Sequence, residues 1–260
     1  VYDDKSIIVI AGDIVHSKTE MSPELVEVTS FLLKGCADIC TTIVIPGNHD
    51  LNLKNEGRLD ALSPIIKTLN HPNLLYWKES GIYTYDNLTF SVLSVLGSPN
   101  QWILAKDIIC PGKKIAIHHG SVYGSKTDLG HEINNEFVKE SLFDGFDLVL
   151  LGDIHSRQFL NNLKTIHYPG SLIQQDHSEN LEKGFTVWNL DTLTSEFINV
   201  ENNIGYVTLN CKDDKIISDP SYVKLWPKNI RLRIKHENCS KNYIHSLITS
   251  IKERFHILEI

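Results

Sequence analysis

The sequence predicts an α/β protein in which β-sheets are flanked by helices. From residue 1 to about residue 200, short β-branched runs alternate with helical patterns, which is typical of a layered α/β domain. After Asn202 the pattern changes to a polar stretch, an alternating strand and a final helix, which indicates a small α+β unit. The 260 residues, 42% of them hydrophobic, suffice for one large core and a satellite. We therefore predict a main domain at residues 1–202 and a small domain at residues 203–260.

The predicted strands of the main domain are short runs of aliphatic, Thr and aromatic residues, bounded by turn residues. Residues 7–10 are four consecutive aliphatic residues and form the first strand. Further strands are predicted at residues 43–45, 74–77, 81–85, 88–95, 114–117, 147–151, 165–168 and 185–190.

The first predicted helix has a clear N-terminus. Ser22 supplies an N-cap, Pro23 takes the first helical position, and Glu24 adds an early acid. Gly35 is expected to end this helix. Apolar residues follow the cap at helical spacing, at Leu25, Val28, Phe31 and Leu32. Other helices are predicted at residues 59–69 and 133–143 and, in the small domain after strands at 205–209 and 231–235, at 241–254.

Composition restricts the possible functions. No apolar run approaches the roughly 18 residues of a membrane-spanning helix, so we expect a soluble protein without a membrane partner. The net formal charge of −7 argues against a sequence-independent electrostatic grip on nucleic acid. The five cysteines are odd in number and scattered, which favours a reduced, intracellular setting: the cytoplasm, or the nucleus of a eukaryotic host.

Polar side chains follow four of the predicted strands. Because loops at the carboxyl ends of strands converge in an open α/β sheet, these side chains are expected to meet. A single Gly-Asp is more often a turn, and a single His is more often a surface or core residue. Five of the twelve histidines, however, lie in these four segments, and together they favour a metal site. The side chains are Asp13 and His16, Asn48 and His49, His118 and His119, and Asp153 and His155.

The ligand types narrow the chemistry. Carboxylate, amide oxygen and imidazole, without cysteine, suit Mn(II), Fe(II) or Zn(II) better than a thiolate site. Two such ions about 3.5 to 4 Å apart share one carboxylate and hold a hydroxide in line with a phosphorus atom. The sequence has no Gly-x-Ser-x-Gly, Gly-x-Gly-x-x-Gly or Gly-Lys-Ser/Thr motif. Hydrolysis of a phosphate ester is therefore the predicted reaction.

The order Gly-Asp, Gly-Asn-His-Asp, His-x-Gly, Gly-x-Ile-His resembles the calcineurin-like metallophosphoesterases over about the first 200 residues. Within them the sequence looks most like the SbcD nucleases, the group of the meiotic recombination eleven nuclease and the bacteriophage recombination endonuclease subunit. Three features carry this: His16 three residues after Asp13, His-His-Gly at 118–120 in place of His-Gln-Gly, and Tyr-Pro-Gly-Ser at 168–171. Residues 231–260 resemble the capping domain of that group, which helps admit DNA.

The resemblance implies a metal-dependent DNA exo- or endonuclease acting in double-strand-break repair or recombination. It also implies a role for each site residue. His49 would protonate the leaving oxygen or steady the phosphate, which agrees with an imidazole that titrates near neutrality. His16 would place the DNA end. The implied metal ligands are Asp13 as the bridge, Asn48 and His118 on the second ion, and His155 on the first.

Two departures from the family pattern affect the expected metal site. Asp153 stands where the family has the first His of His-x-His, so we expect a more oxygen-rich second site. The family's first Asp-x-His motif is missing from the 12 residues before Asp13, where Asp3 and Asp4 have no histidine nearby. We expect that the chain begins inside the fold, without its first strand and helix, binds the first metal weakly and is a poor catalyst.

The resemblance implies three partners: DNA, a second copy of the chain, and an SbcC-type ATPase with coiled-coil arms. Two other functions stay open. One is a metallophosphatase or phosphodiesterase acting on phosphoproteins or small esters, and the other is a catalytically impaired scaffold that binds DNA ends. Residues 121–132, with Tyr123 and Lys126, either line a DNA groove or form a plain connection.

Overall fold

The computed structural model describes residues 5–55, 57–134 and 136–260, so Asp3 and Asp4 lie outside the described residues. The chain divides into two compact units, residues 1–127 with 132–168, and residues 128–131 with 169–260. This division differs from the predicted boundary at residues 202 and 203. The reason lies in Gln174, whose amide accepts from Tyr206 N at 2.8 Å and donates to Tyr206 O at 3.2 Å, tying the segment after residue 168 to the C-terminal part.

The first unit contains two sheets. One is parallel and three-stranded, in the order β1-β2-β3. The other has six strands in the order β4-β5-β6-β7-β9-β8, with its central strands β5, β6, β7 and β9 parallel. The strands are β1 (Ile7–Ala11), β2 (Thr41–Ile45), β3 (Leu74–Tyr76), β4 (Gly81–Tyr85), β5 (Leu88–Leu93), β6 (Lys114–His119), β7 (Leu148–Gly152), β8 (Gln158–Phe159) and β9 (Ile166–Tyr168). The predicted α/β class of sheets flanked by helices is confirmed.

Helix α1 (Pro23–Ile39) begins as predicted, because Ser22 Oγ accepts a hydrogen bond from Leu25 N at 3.2 Å. The helix does not end at Gly35. Leu33 and Ala37, on either side of this glycine, are fully buried and pack with Val44 of β2. The burial of these two side chains stabilises the helix enough to offset the unfavourable helix propensity of Gly35.

Helix α2 (Ser63–Leu69) is shorter than the predicted helix at 59–69. The carboxylate of Asp60 accepts hydrogen bonds from Leu62 N at 2.9 Å and from Ser63 N at 2.7 Å, and forms an Asx-type turn. That turn holds the preceding residues in a non-helical conformation, and the helix begins after it.

The helix predicted at residues 133–143 is wrong in the part of that segment the structure describes. A 3₁₀ turn at Glu140–Phe143 replaces it. Ile133 N donates to Ser125 O at 2.8 Å and Ile133 O accepts from Gly124 N at 2.9 Å, while residues 126 and 132 form an antiparallel bridge. These backbone groups are used across the loop and are not free for helical bonds.

The carboxyl ends of strands from both sheets meet in the first unit. β1 lies against β6 and β7, and His119 Nδ1 is 2.7 Å from Ala11 O. A Cβ atom on Gly152, at the end of β7, would overlap the same carbonyl oxygen. The absence of a side chain at Gly152 therefore allows the close approach that brings the strand-end loops together.

The second unit contains a hairpin and a four-stranded sheet in the order β13-β12-β14-β15, in which β12, β14 and β15 are parallel. Helix α3 (Lys241–Lys252) is capped by Ser240 and packs Ile251 into an apolar cluster with Val207 and Ile230. The strands are β10 (Gly184–Asn189), β11 (Thr194–Asn199), β12 (Ile204–Lys212), β13 (Lys215–Ile216), β14 (Asn229–Glu237) and β15 (His256–Glu259). Among the described residues of both units, no helix has the length and hydropathy to cross a membrane.

Candidate metal centre

The loop after β1 presents Asp13 in a backbone conformation that few residues adopt. Gly12 has a φ of 90° and Asp13 has a φ of 55°, both in the left-handed region. Asp13 lies directly over Gly47, where a Cβ atom would overlap the Asp13 carboxylate. The two strand-end loops thus approach each other at glycines, and the carboxylate of Asp13 is held between them.

Asp50 fixes this arrangement. Its buried carboxylate accepts hydrogen bonds from Asp13 N at 2.8 Å, Gly47 N at 2.8 Å and Val15 N at 3.0 Å. Burial raises the pKa of Asp50 above its usual value, and these N–H groups offset part of that rise. Asp50 therefore joins the loop after β1 to the loop after β2, a role the sequence analysis did not assign to it.

His119, at the end of β6, lies at the centre of the cluster. Its Nε2 atom is 3.0 Å from Asn48 Oδ1, 3.2 Å from Asp13 Oδ2 and 3.9 Å from Asp153 Oδ1. Asp13, His119 and Asp153 each offer one ligand atom, and these three atoms lie within 4.8 Å of one another. Three oxygen atoms from three separate loops therefore surround one imidazole nitrogen.

The hydrogen bonding of His119 suits a metal ligand. Its Nδ1–H donates to Ala11 O at 2.7 Å, which orients the ring and directs Nε2 toward the oxygens of Asp13 and Asn48. Metal-bound histidines characteristically donate their second ring N–H to a carbonyl or carboxylate in this way. The donors at this centre are two carboxylates, an amide oxygen and an imidazole, which fit a divalent ion such as Mn(II).

The charges at this centre are coupled. Burial alone would raise the pKa of Asp13, but its hydrogen bond to His119 and the charge of that imidazole outweigh burial and lower it. Burial alone would lower the pKa of His119, but Asp13 raises it. Burial raises the pKa of Asp153, and His119 offsets only part of that rise. The two carboxylates are thus stabilised by positive charge at this point, which an imidazolium or a metal ion supplies.

The structure places His118, which the resemblance implied as a ligand, differently from that prediction. Its Nδ1 atom is 2.6 Å from Leu93 O, and its ring packs edge-on against Trp102 with centroids 5.0 Å apart. Burial lowers the pKa of His118 to about 4, so the ring is neutral near pH 7. Successive residues of a strand point to opposite faces, and it is His119, not His118, that reaches Asp13. The geometry therefore favours His119 as the ligand from this strand.

His49 and His16 form a stacked pair beside Asp13. Their ring centroids are 5.3 Å apart, and His49 Nδ1 is 2.7 Å from the His16 carbonyl oxygen. The backbone N–H of His49 donates to Asp13 Oδ1 at 2.9 Å. A backbone hydrogen bond from His49 therefore joins the predicted catalytic pair to the carboxylate of Asp13, the predicted bridging ligand.

Asp153 and His155 lie in the loop after β7. Asp153 has a φ of 96°, a strained conformation that turns its carboxylate toward His119. The raised pKa of Asp153 results mainly from burial, and the charge of His155 offsets only part of that rise; His155 is not in the cluster of Asp13, His119 and Asp153. Of the predicted metal ligands, the structure brings together Asp13, Asn48 and Asp153 and adds His119.

A profile of the calcineurin-like phosphoesterase family matches residues 2–157. This is more than half of the 260 residues, and the chain belongs to that family. Its members are metal-dependent hydrolases of phosphate esters. The predicted class of protein, a calcineurin-like metallophosphoesterase, is confirmed, and the cluster of Asp13, His119 and Asp153 is a candidate group of metal ligands.

Two viral proteins are similar to this chain. The uncharacterized protein R555 of Acanthamoeba polyphaga mimivirus is 43% identical over 267 residues, which cover 98% of this chain and 19% of R555. Protein 244L of Invertebrate iridescent virus 6, named as a candidate phosphoesterase, is 26% identical over 185 residues, which cover 70% of this chain and 63% of 244L. The chain thus spans about a fifth of the first relative and less than two thirds of the second.

Proposed function

We propose that this chain is the phosphoesterase part of a DNA nuclease that acts in double-strand-break repair or recombination. The observation that carries the proposal is the stacked pair of His16 and His49 beside Asp13. One imidazole can protonate a leaving oxygen, while the second, more exposed one can contact the strand next to the cleaved bond. A small phosphate monoester has no such neighbouring strand for a second histidine to contact.

The proposal gives the metal ions and the residues of the site separate roles. Two divalent ions, Mn(II) by preference and Fe(II) or Zn(II) otherwise, would supply Lewis-acid charge at the phosphate and would make a water molecule nucleophilic at neutral pH. Asp13, Asn48, His119 and Asp153 would hold an ion at the centre described above. His155 would serve the other ion. The negative net charge of the chain is compatible with a DNA substrate, because the ions offset carboxylate charge where the phosphate binds.

His49 is oriented for proton transfer. With Nδ1–H donating to the His16 carbonyl, Nε2 is the ring nitrogen left to contact the leaving oxygen. We expect His49→Ala to reduce cleavage by at least about a hundredfold, in the range typical of a lost general acid. Binding of Mn(II), measured by calorimetry, should stay close to that of the parent chain, because Asp13 receives the backbone N–H of His49 and not its ring. Unchanged turnover would show that His49 does not transfer the proton.

The nuclease proposal is tested by incubating the chain with Mn(II) and either linear duplex DNA or bis(p-nitrophenyl) phosphate. Degradation of DNA supports the nuclease. Hydrolysis of the small ester alone overturns it in favour of a phosphodiesterase, an activity that the described centre fits equally well. DNA binding without hydrolysis of either compound also overturns it and favours the scaffold.

The proposal includes a homodimer, and helix α1 supplies a candidate interface. Val28, Phe31 and Ile39 lie on the outer side of this helix with exposed fractions of 63%, 80% and 51%. Contiguous exposed apolar side chains of this kind mark interaction surfaces. A second copy presenting the same helix would bury both sets in an isologous contact. The proposed SbcC-type coiled-coil ATPase is a further partner, which follows from the resemblance alone.

We expect Phe31→Glu to convert the proposed dimer into a monomer in sedimentation equilibrium, because two buried carboxylates would face each other across the contact. Ile109→Glu is the matched control, since Ile109 is a fully exposed apolar residue outside α1 and its replacement should leave the association constant unchanged. A parent chain that sediments as a monomer would contradict the homodimer.

A further inference from the structure

A groove of about 520 Å³ lies in the first unit, lined in part by residues that follow strands β6 and β7. Its walls come from the loop after β6, from the segment around the 3₁₀ turn and from the edge strand β8. We call it the Tyr123 groove. The side chains that matter for its chemistry are Tyr123, Lys126, Lys139, Glu140, Gln158 and Phe159.

The Tyr123 groove combines aromatic rings with positive charge. Tyr123 and Phe159 keep exposed fractions of 45% and 36%, so both offer apolar surface to a ligand. The ammonium group of Lys139 lies 5.9 Å from the centre of the Tyr123 ring, and Lys126 also lines the groove. Two lysines against the single carboxylate of Glu140 leave the groove positive within a chain whose net charge is −7.

Hydrogen bonds hold the walls of the groove in place. The Gln158 amide accepts from Lys126 N and donates to Lys126 O, each at 2.8 Å, which joins the loop to β8. Tyr123 N donates to Val138 O at 2.7 Å, which joins the loop to its own returning segment. A groove formed before binding loses little conformational entropy when a ligand enters.

The groove is also close to the metal centre along the chain. Tyr123 follows His119 by four residues, and Gln158 follows Asp153 by five. Extended chain covers at most about 3.6 Å per residue, so Tyr123 lies within about 14 Å of His119 and Gln158 within about 18 Å of Asp153. The stretch from His119 to Tyr123 is not fully extended, because the hydroxyl of Tyr168 holds two of its residues together. This hydroxyl donates to Gly120 O at 2.6 Å and accepts from Val122 N at 3.0 Å.

We infer that the Tyr123 groove binds unpaired DNA next to the metal centre, with a base stacked on Tyr123 or Phe159 and backbone phosphates beside Lys126 and Lys139. Aromatic rings interleaved with lysines are what single strands require, since every base has a face to stack and every linkage carries a charge. This inference rests on the proposed nuclease function and specifies its substrate as DNA with an unpaired strand.

Binding is measured without catalysis, in EDTA, by the anisotropy of a fluorescein-labelled oligothymidylate of about twelve nucleotides, within the usual length of such sites. Tyr123→Ala should weaken binding about tenfold, the typical loss for one stacked base, and Tyr123→Phe should restore it. Phe185→Ala, which removes an aromatic residue of β10 with the same exposed fraction of 45% and outside the groove lining, is the matched control and should bind like the parent. Equal binding by Tyr123→Ala and the parent, or an equal loss in the control, overturns the inference.

A salt titration tests the role of the lysines. The slope of log affinity against log salt is negative, and each single-strand phosphate contact contributes about 0.7 to its magnitude. The double variant Lys126→Ala, Lys139→Ala should therefore reduce that magnitude by about 1.4. The matched control, Lys67→Ala with Lys106→Ala, removes two exposed lysines outside the groove and should keep the parent slope. An unchanged slope in the groove variant overturns the phosphate contacts.

The two proposals fail in different ways. If the chain binds the oligonucleotide through Tyr123 but does not hydrolyse DNA with Mn(II), the nuclease function is overturned and the groove stands. If the chain hydrolyses DNA while the Tyr123 and lysine variants bind and cleave like the parent, the groove is overturned and the nuclease stands. Tighter binding of blunt duplex than of the single strand also overturns the groove.

Discussion

His119→Asn is expected to remove most metal binding and to lower hydrolysis of any phosphate ester by at least about a thousandfold, equal to about 4 kcal/mol of transition-state stabilisation. The asparagine amide can keep the hydrogen bond that His119 Nδ1 donates to Ala11 O. It has no atom at the position of Nε2, which now lies within 3.2 Å of both Asn48 Oδ1 and Asp13 Oδ2. The loss should therefore appear directly in calorimetric titration with Mn(II).

The neighbouring residue provides the matched control. His118→Asn makes the same chemical change one position earlier, and its amide can keep the hydrogen bond to Leu93 O. We expect Mn(II) affinity and turnover to stay within a few-fold of the parent. Stability should fall by about 1 to 3 kcal/mol, because the replacement leaves a gap against Trp102. The reverse pattern, with loss of metal in His118→Asn only, would contradict His119 as the ligand.

The second large effect is expected on stability. Asp50→Ala should lower the free energy of unfolding of the first unit by about 3 to 5 kcal/mol, because the N–H groups of Asp13, Val15 and Gly47 lose a charged acceptor. Urea unfolding followed by circular dichroism measures this change. The metal centre should be lost as well, since Asp50 holds the two loops that place Asp13 and Asn48.

Asp38→Ala is the control for Asp50→Ala. Asp38 is an exposed carboxylate on α1 that pairs with Lys34 at 2.7 Å, and because solvent screens exposed pairs of this kind, its replacement should leave the free energy of unfolding almost unchanged. A fall of less than about 1 kcal/mol in Asp50→Ala would show that the loops are held together by other contacts, since one satisfied buried donor already accounts for that amount.

Local signals in the sequence predicted much of the fold. The N-cap at Ser22 and the apolar runs of β1, β6 and β7 are properties of neighbouring residues, and these elements formed where they were expected. The predictions that were wrong depend on distant partners. The described residues of the segment at 133–143 form no α-helix, because the backbone of Ile133 bonds to Gly124 and Ser125. The helical spacing of the side chains carries no information on those bonds.

The sequence likewise predicted some features of the candidate site and not others. The sequence by itself determined the kinds of ligand and their positions after β1, β2, β6 and β7, because a polar residue beside a glycine at a strand end is visible without any partner. It also determined the family, through the order of those motifs.

Only the tertiary structure decided which of two adjacent histidines lies against Asp13, and only it revealed the hydrogen bonds of Asp50. His118 and His119 are chemically identical in the sequence, and alternate residues of a strand face opposite ways. Which face meets Asp13 is set by the approach of β6 to β1, where His119 bonds to Ala11 and His118 turns to Leu93. Which histidine joins this cluster is therefore a property of how the two sheets pack, which no single strand encodes.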